Sequence, residues 1–245
     1  MRFAIETFFQ VTSVTALVLS VTAPVQAFTF NTSGTWDAIA NPGVAYQSVG
    51  SENQIRWGTG AFTSGIESQS GLGFAGKSSL TASFGEILNL GTLRHFNNPI
   101  YGFVPTSVGL TLNLDFGGSL PVLAQAFLFN LAIDETNNAL NPCPYSPNNA
   151  AGCSDKISFA STVSSNSFTV NNKIYTLELL GFSPTPNGTA VNEFISEEGG
   201  INEAFLFGRV VETDTSAAVP EPTAIAGVML AGAGFRYLRR RQRRS

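Results

Sequence analysis

The sequence is poor in the side chains that build most metal, haem and redox centres. Its 245 residues include one His, two Met and two Cys, which leaves little material for such a site. Charged residues make up only 12% of the chain, and its central body has no excess of basic residues. Proteins that bind the phosphate backbone of a nucleic acid need such an excess of basic residues, so we expect no nucleic-acid partner.

Apolar residues, by contrast, are abundant. Hydrophobic residues make up 43% of the sequence and include 20 Phe, which is too apolar for a disordered chain. Roughly 190 residues between two unusual ends suffice for one sizeable core. No long Ser- or Pro-rich linker divides this body, so we expect one domain over residues 28–212.

The formal net charge of −4 is the sum of a body and a tail of opposite sign. Residues 28–219 hold six basic and fifteen acidic side chains, a net charge of −9. The last ten residues hold six arginines, a net charge of +6. Such asymmetry indicates processing or membrane contact. The acidic body also predicts that divalent cations are needed to bridge it to an anionic polysaccharide.

The N-terminus has the parts of a secretory signal peptide. Arg2 begins it, residues 11–21 form an uncharged apolar stretch, and Val25 and Ala27 supply small residues at positions −3 and −1. The apolar stretch is about half the roughly 20 residues that a membrane-spanning anchor requires. We therefore predict that residues 1–27 are removed by cleavage between Ala27 and Phe28.

The C-terminus combines a proline motif, an apolar run and a basic cluster. Pro220 and Pro222 flank Glu221 after a small, polar linker over residues 213–219, and they disfavour helix at this point. Residues 223–235 are uncharged and predict a short hydrophobic helix. Arginines after the run hold the chain end on the cytoplasmic side. This cluster comprises Arg236, Arg239, Arg240, Arg241, Arg243 and Arg244.

Together with the signal peptide, these C-terminal features resemble the PEP-CTERM sorting signal. The resemblance implies recognition by a membrane-embedded exosortase or archaeosortase-type cysteine transpeptidase, with transient contact with the inner membrane. It also implies removal of residues 220–245 near Pro220-Glu221-Pro222, then release or attachment at the surface of a Gram-negative-type bacterium that makes exopolysaccharide. The competing interpretations are a degenerate tail anchor and a basic tail that binds nucleic acid.

Alternating apolar residues in the body predict β-strands. Residues 109–116 alternate strictly, with Leu110, Leu112 and Leu114 on one face, as in a half-buried strand. Residues 123–133 are nearly all apolar and predict a strand that is buried on both faces or bulged. Further strands are expected over 157–163 and 204–211.

Asn171 and Asn172 tolerate the positive φ of a tight turn, so residues 167–180 predict a hairpin. Only residues 191–201 show a weak helical period. Short strands punctuated by Gly, Pro and Asn favour an all-β fold, an antiparallel β-sandwich of the jelly-roll or immunoglobulin-like type.

Cys143 and Cys153 are the only cysteines. An even count in a secreted chain favours a disulfide, which would close a loop rich in Pro and Asn. The alternative, a metal or redox pair, lacks the C-x-x-C spacing and a neighbouring His.

Reactive motifs are sparse, and we predict no catalytic residues and no bound cofactor. Residues 71–78 match the literal P-loop pattern but neither follow a buried strand nor precede a helix. His95 is the only imidazole and a poor nucleus for a metal site. Asp134 and Asp155, with the acidic turn at 134–138, are weak candidates for Ca²⁺ ligands, and a solvated turn is the alternative.

Residues 90–100, which contain His95 and Asn97, resemble the motif of the THxN family of PEP-CTERM proteins and the related choice-of-anchor K domain. Arg56-Trp57-Gly58, residues 71–74 and the cysteine loop fit the same resemblance, although Arg94 stands where the family has Thr. The resemblance implies a surface domain of undefined biochemical activity. In an extended segment His95 and Asn97 share one face, where they would hydrogen-bond adjacent backbone and hold the Asn98-Pro99 turn.

The sequence therefore predicts a secreted cell-surface or matrix protein with a structural or adhesive role. One alternative is a lectin-like module that uses Trp36, Trp57 or Tyr residues as sugar platforms. Another is a glycan-active hydrolase with two carboxyl groups roughly 5–10 Å apart in a cleft.

Overall fold

A computed structural model describes residues 27–213, and its fifteen strands are joined by antiparallel pairing. In chain order the strands are β1 (Ala27–Trp36), β2 (Val44–Val49), β3 (Glu52–Trp57), β4 (Thr59–Gly60), β5 (Ser70–Gly76), β6 (Leu80–Ser83), β7 (Leu88–Asn97), β8 (Ile100–Tyr101), β9 (Ser107–Asp115), β10 (Ala124–Asp134), β11 (Asp155–Phe159), β12 (Phe168–Val170), β13 (Lys173–Ser183), β14 (Glu193–Ser196) and β15 (Gly200–Glu212). A short 3₁₀ helix spans Ile66–Ser68. Within residues 27–213, no helix combines the length and apolar character that crossing a membrane requires.

These strands form two large sheets and one small ribbon. The six-stranded sheet has the order β14-β11-β10-β9-β1-β6. The seven-stranded sheet has the order β12-β13-β15-β7-β5-β3-β2, and β4 pairs with β8 in the ribbon. Strands far apart in sequence lie side by side, as β15 does beside β7. The prediction of an all-β, antiparallel fold is confirmed.

Period-two alternation explains why β9 forms with one face buried. Leu110, Leu112 and Leu114 point into the core, as predicted, while Thr111 and Asn113 are half-buried on the other face. β9 pairs with β1 on one side and with β10 on the other. The strand therefore lies within the six-stranded sheet, where both sets of backbone hydrogen bonds are satisfied.

One core cluster draws side chains from both large sheets. Its members include Phe28, Phe30, Leu112, Phe127 and Phe129 from the six-stranded sheet, and Ile55, Trp57, Leu72, Leu93 and Leu206 from the seven-stranded sheet. Its aromatic rings pack both edge-on and stacked: Phe28 is edge-on to Phe116 with ring centroids 5.8 Å apart, and Phe182 stacks on Phe159 with centroids 4.5 Å apart. The abundance of Phe in the sequence is largely explained by this core.

The predicted hairpin is present at Asn171 and Asn172. These residues join β12 to β13, Val170 pairs with Lys173, and the two Asn have φ of 51° and 64°. Both angles lie in the left-handed region, which Asn tolerates better than most residues.

Two strand predictions need adjustment. β10 buries one face rather than two, because Phe127 and Phe129 point inward while Leu128, between them, remains 41% exposed. The strand predicted over 157–163 starts earlier and ends earlier, since β11 spans Asp155–Phe159. Because the outward-facing Leu128 is also apolar, the sequence of β10 resembles that of a strand buried on both faces.

The weak helical period over residues 191–201 does not correspond to a helix. β14 spans Glu193–Ser196, and a tight turn containing Gly199 (φ 80°) leads into β15. Short apolar runs do not separate helix from strand by period alone, and here pairing with β11 and β7 decides the conformation.

Residues 71–76, which carry most of the P-loop pattern, lie inside β5 between β3 and β7. A strand in the middle of a sheet leaves no loop that could surround a phosphate.

Candidate metal centre

His95 lies on the buried face of the seven-stranded sheet, near the end of β7. Alternation along the strand turns Leu93, His95 and Asn97 towards the core, while Arg94 points the other way and forms an ion pair with Glu52. His95 and Asn97 both have an exposed fraction of 0%. The only imidazole in the sequence is therefore an interior group.

Two carboxyl groups from the other large sheet meet this imidazole. Glu135 directly follows β10 and Asp155 begins β11, and the register that pairs Asp134 with Lys156 places the two acids at the end of the same ladder. One ring nitrogen of His95 and one carboxylate oxygen each of Glu135 and Asp155 lie within 4.8 Å of one another. The cluster His95–Glu135–Asp155 thus joins the two sheets.

Several polar atoms in and around this cluster are buried without a hydrogen-bond partner among residues 27–213. They are Nδ1 and Nε2 of His95, Nε1 of Trp57, Oε2 of Glu135, Oδ2 of Asp155, Oδ1 of Asn97 and Oγ of Ser196. The indole N–H of Trp57 lies close enough to Glu135 to lower the pKa of that carboxyl group, against the larger rise from burial. Leaving one buried polar atom unpaired costs about 1–3 kcal/mol, and such atoms are rare in folded proteins. Their concentration in one place indicates a ligand-binding site.

Neighbouring hydrogen bonds fix the orientation of the cluster. The backbone N–H and the hydroxyl of Thr136 both donate to Oδ1 of Asp155, at 2.7 and 3.1 Å. The amide of Asn97 donates to the carbonyl oxygen of Ser196 at 3.0 Å. The first two contacts orient the Asp155 carboxyl group, and the third holds the end of β14 against β7.

A third buried acid, Glu198, lies beside the cluster. It is 3% exposed, and neither of its carboxylate oxygens has a hydrogen-bond partner among the described residues. Its negative charge raises the pKa of both Glu135 and Asp155. In the described part of the chain, no ion pair links any of these three acids to a basic side chain.

Burial governs the ionisation of the cluster. It lowers the pKa of His95 to about 3, so the imidazole is neutral near pH 7 and keeps a lone pair for a ligand bond. Burial also raises the pKa of Glu135 and Asp155, and repulsion from neighbouring carboxyl groups adds to the rise. The carboxyl groups therefore resist ionisation unless a cation lies between them.

The energetics leave two arrangements for these acids. An ionised carboxylate that is buried without a partner costs several kcal/mol, so such groups are either neutralised by a proton or coordinated to a metal ion. A neutral imidazole together with carboxylate oxygens is a donor set that binds divalent metals. The cluster is therefore a candidate metal centre.

The connection from β10 to β11 carries the predicted disulfide and returns to the cluster. Cys143 and Cys153 are bonded, with Cα atoms 5.3 Å apart, which confirms the prediction. Cys153 is fully buried two residues before Asp155, and its backbone N–H donates to Oδ1 of Asn138 at 3.0 Å. The disulfide thus holds the chain that leads into Asp155.

The two Ca²⁺ candidates separate in the structure. Asp155 is buried in the cluster, whereas Asp134 is exposed and accepts a hydrogen bond from the hydroxyl of Tyr145. Successive residues in an extended chain point to opposite sides, so Glu135 rather than Asp134 reaches Asp155. The structure therefore groups Asp155 with Glu135, a neighbour of Asp134 in the predicted acidic turn, and with His95.

His95 and Asn97 share a face, as the sequence suggested, but the role predicted for His95 in holding the Asn98-Pro99 turn is wrong. Neither ring nitrogen of His95 makes a hydrogen bond within the described residues. Ser70 holds the turn instead: its hydroxyl donates to the carbonyl of Asn98 at 2.8 Å and accepts from the Asn98 N–H at 3.2 Å.

A groove of about 420 Å³ is a second concave feature, built around β2 and β3. It is lined by Thr35, Trp36, Tyr46, Gln47, Ser48, Asn53 and Gln54. The indole N–H of Trp36 donates to the Asn53 carbonyl at 2.8 Å, which fixes the ring beside the groove. Trp57, the other suggested sugar platform, is fully buried with its ring 6.3 Å from that of His95, so that suggestion is wrong.

No protein-family model matches this chain, and no curated protein matches it. Nearly all of the predicted signal peptide, up to Gln26, lies outside the described residues. So do Pro220, Glu221, Pro222 and the arginine cluster of the predicted sorting signal. The site must therefore be interpreted from the geometry of residues 27–213.

Proposed function

We propose that this chain is an exported protein with a structural or adhesive role at the cell surface or in an exopolysaccharide matrix. The observation that carries the proposal is that His95 and Asp155 are buried with an exposed fraction of 0% and Glu135 beside them is half-buried, a position that a polymeric substrate does not reach. A cluster in that position stabilises a fold rather than turning over a substrate. The disulfide is compatible with export to an oxidising compartment.

The architecture that we propose for this role is a single-domain β-sandwich of the jelly-roll or immunoglobulin-like kind. Sheets of six and seven strands contribute to one core, as the two layers of a sandwich do. β1 begins at Ala27 and β15 ends at Glu212, so the strands span the proposed domain, residues 28–212.

Export and sorting form the second part of the proposal. An exosortase or archaeosortase-type transpeptidase would remove residues 220–245 after the tail has entered the inner membrane. The ordered combination of signal peptide, Pro220-Glu221-Pro222, apolar run and arginine cluster supports this. Cleavage after Ala27 removes only the first residue of β1, so the sheet keeps the pairing of Phe28 with Ala82.

Intact-mass analysis of the protein recovered from the cell surface or culture medium tests the export route. We expect an N-terminus at Phe28 and a C-terminus close to Glu221, with the arginine cluster missing. A double substitution, Pro220→Ala with Pro222→Ala, should leave the tail attached and the protein in the membrane fraction. A surface-located wild-type protein that keeps its arginine cluster would contradict the sorting proposal.

A lectin-like role is the second candidate, and the groove at Trp36 favours it. An indole ring next to the phenol of Tyr46 and the amides of Gln47 and Asn53 offers the aromatic and polar contacts that sugars use. No carboxylate is among the residues that line this groove, so it does not offer the acid pair of a glycosidase. Loss of polysaccharide binding in Trp36→Ala would establish the lectin-like role.

A further inference from the structure

We propose that His95, Glu135 and Asp155 bind one divalent transition-metal ion, for which Zn²⁺ is the best chemical match, as a structural ion between the two sheets. This inference does not rest on the proposed surface role, because it concerns the interior of the domain. The supporting observations are the positions of the three side chains and the lack of hydrogen-bond partners for their polar atoms among the described residues.

The positions suit a shared ion. The three candidate ligand atoms lie within 4.8 Å of one another, and around a zinc ion with bonds of about 2.0 Å they would lie about 3.3 Å apart. Asp155 is already oriented by two hydrogen bonds to one of its oxygens, which leaves the other for the ion. Binding of the ion therefore requires the ligand atoms to approach one another by up to about 1.5 Å.

The imidazole provides an independent observation. His95 is fully buried, yet neither ring nitrogen has a hydrogen-bond partner among residues 27–213. A buried His normally donates one N–H and accepts at the other nitrogen. Coordination to a metal would satisfy one of the two nitrogens.

Charge points to a cation as well. Glu135, Asp155 and Glu198 are acids in one largely buried region, and no basic side chain in the described part of the chain forms an ion pair with them. Two ionised carboxylates balance the charge of one divalent ion. Glu198 adds negative charge beside this group but is not among the three side chains whose ligand atoms lie within 4.8 Å of one another.

The donor types select the class of metal. Ca²⁺ and Mg²⁺ prefer cages of oxygen atoms, with six to eight ligands for Ca²⁺, whereas imidazole nitrogen suits Zn²⁺ and its neighbours in the first transition row. Both cysteines are in the disulfide, so no thiolate competes. One nitrogen with two or three oxygens is a set that Zn²⁺ accepts without a geometric penalty, and Mn²⁺ is the nearest competitor.

The elements that carry the ligands define what the ion does. His95 belongs to β7 of one sheet, while Glu135 and Asp155 stand at the two ends of the β10–β11 connection of the other sheet. An ion at this point links the two sheets. It also joins the two ends of the long connection between β10 and β11, within which the disulfide forms a second link. Because both sheets contribute ligands and two of the three ligands, His95 and Asp155, are fully buried, the role assigned to the ion is structural.

The test uses the full chain, expressed with its own signal peptide and purified without chelator. Its metal content is measured by mass spectrometry of the elements, and its melting temperature is measured after chelation and again after addition of ZnCl₂, MnCl₂ or CaCl₂. We expect about one transition-metal ion per chain after zinc is added. We also expect chelation to lower the melting temperature by about 5–10 °C and zinc to restore it, because an ion that binds only the folded state raises its stability.

Two variants make the result specific. His95→Gln removes the nitrogen ligand and should lower zinc occupancy at least tenfold, while Asp134→Asn, at the exposed neighbour of Glu135, should bind zinc as the wild type does. Chelation and reloading of the wild-type protein keep the test valid even if His95→Gln folds poorly. The proposal is overturned if the wild type binds no ion at one per chain, if Ca²⁺ stabilises it and Zn²⁺ does not, or if folded His95→Gln retains the zinc.

Discussion

Arg56 lies across an aromatic ring on the outer face of the seven-stranded sheet. Its guanidinium carbon is 3.4 Å from the centroid of the Phe96 ring, and one of its nitrogens donates to Oε1 of Gln54 at 2.8 Å. Gly71 faces Arg56 across the β3–β5 pair, and a Cβ at Gly71 would lie 2.5 Å from Cδ of Arg56. The glycine therefore makes room for the arginine side chain.

We predict that Gly71→Ala destabilises the protein by about 1–3 kcal/mol, because the new methyl group meets Arg56 and the carbonyl oxygen of Ile55. Gly200→Ala is the matched control, since a Cβ there has no heavy atom within 4 Å, and its cost should stay within about 0.5 kcal/mol. Urea unfolding of both variants measures the difference. Equal stabilities for the two variants would show that the neighbours of Gly71 move aside without lowering the free energy of unfolding.

At the scale of single residues, the sequence could single out His95 but not its neighbours. His95 stands out because it is the only imidazole and lies in a recognisable motif. Glu135 and Asp155 are two of fifteen acids in residues 28–219, and nothing in their local sequence shows that they meet His95. Their position depends on the register between β10 and β11, which the sequence does not state.

The hairpin between β12 and β13 shows how turn chemistry determines an element. Asn171 and Asn172 both have positive φ, and the two-residue turn sets Val170 opposite Lys173. Because side chains alternate along a strand, this register keeps Tyr175 and Leu177 of β13 in the core.

Substitutions at Asn172 should follow the backbone angle. Asn172→Val should destabilise the protein by about 1–2 kcal/mol, because a β-branched residue is strained at a φ of 64°. Asn172→Gly should leave stability unchanged or slightly higher, since glycine adopts this conformation freely. Guanidinium unfolding of the pair measures both effects. A Val variant as stable as the Gly variant would mean that the turn changes conformation.

Among the elements, strands with clean alternation or a clear turn signal were predictable, and irregular ones were not. β9 and the Asn171-Asn172 hairpin follow from local pattern. The outward Leu128 hid the alternation of β10, and the short β14 was mistaken for part of a weak helix. In both cases the partner strands decide the structure, and those partners lie far away in the chain.

For the molecule as a whole, the distribution of charged side chains affects its interaction with charged polymers more than the formal net charge of the full sequence does. Five of the six basic residues of the body pair with acids: Arg56, Arg94, Lys156, Lys173 and Arg209. Such pairs contribute little stability where they are exposed, but they use up most of the positive charge. The surplus of acids then repels anionic polymers at low ionic strength.

We therefore predict that the mature protein associates with an anionic polysaccharide only when millimolar Ca²⁺ or Mg²⁺ bridges the two, and that EDTA releases it. Co-sedimentation with the polysaccharide measures the effect. His95→Gln should behave as the wild type in this assay, because the bridging ions bind at the surface and not in the core. Binding that persists after chelation would contradict the prediction, and binding lost only in Trp36→Ala would favour the lectin-like groove instead.

The meeting of His95 with Glu135 and Asp155 could not be predicted at this scale. His95 lies on β7 of one sheet, whereas Glu135 and Asp155 lie at the paired ends of β10 and β11 in the other sheet. Sequence reasoning gave the fold class and the disulfide, because these follow from alternation and from a count of two cysteines. A buried site between the sheets needs their packing, which only the structure supplies.

The most direct measurement of the central claim is anomalous diffraction at the zinc edge from crystals of the zinc-loaded protein. The account predicts one strong peak about 2.0–2.2 Å from a ring nitrogen of His95 and from carboxylate oxygens of Glu135 and Asp155. A map without a peak at this position, with the His95 ring hydrogen-bonded to a protonated carboxyl group instead, would contradict it.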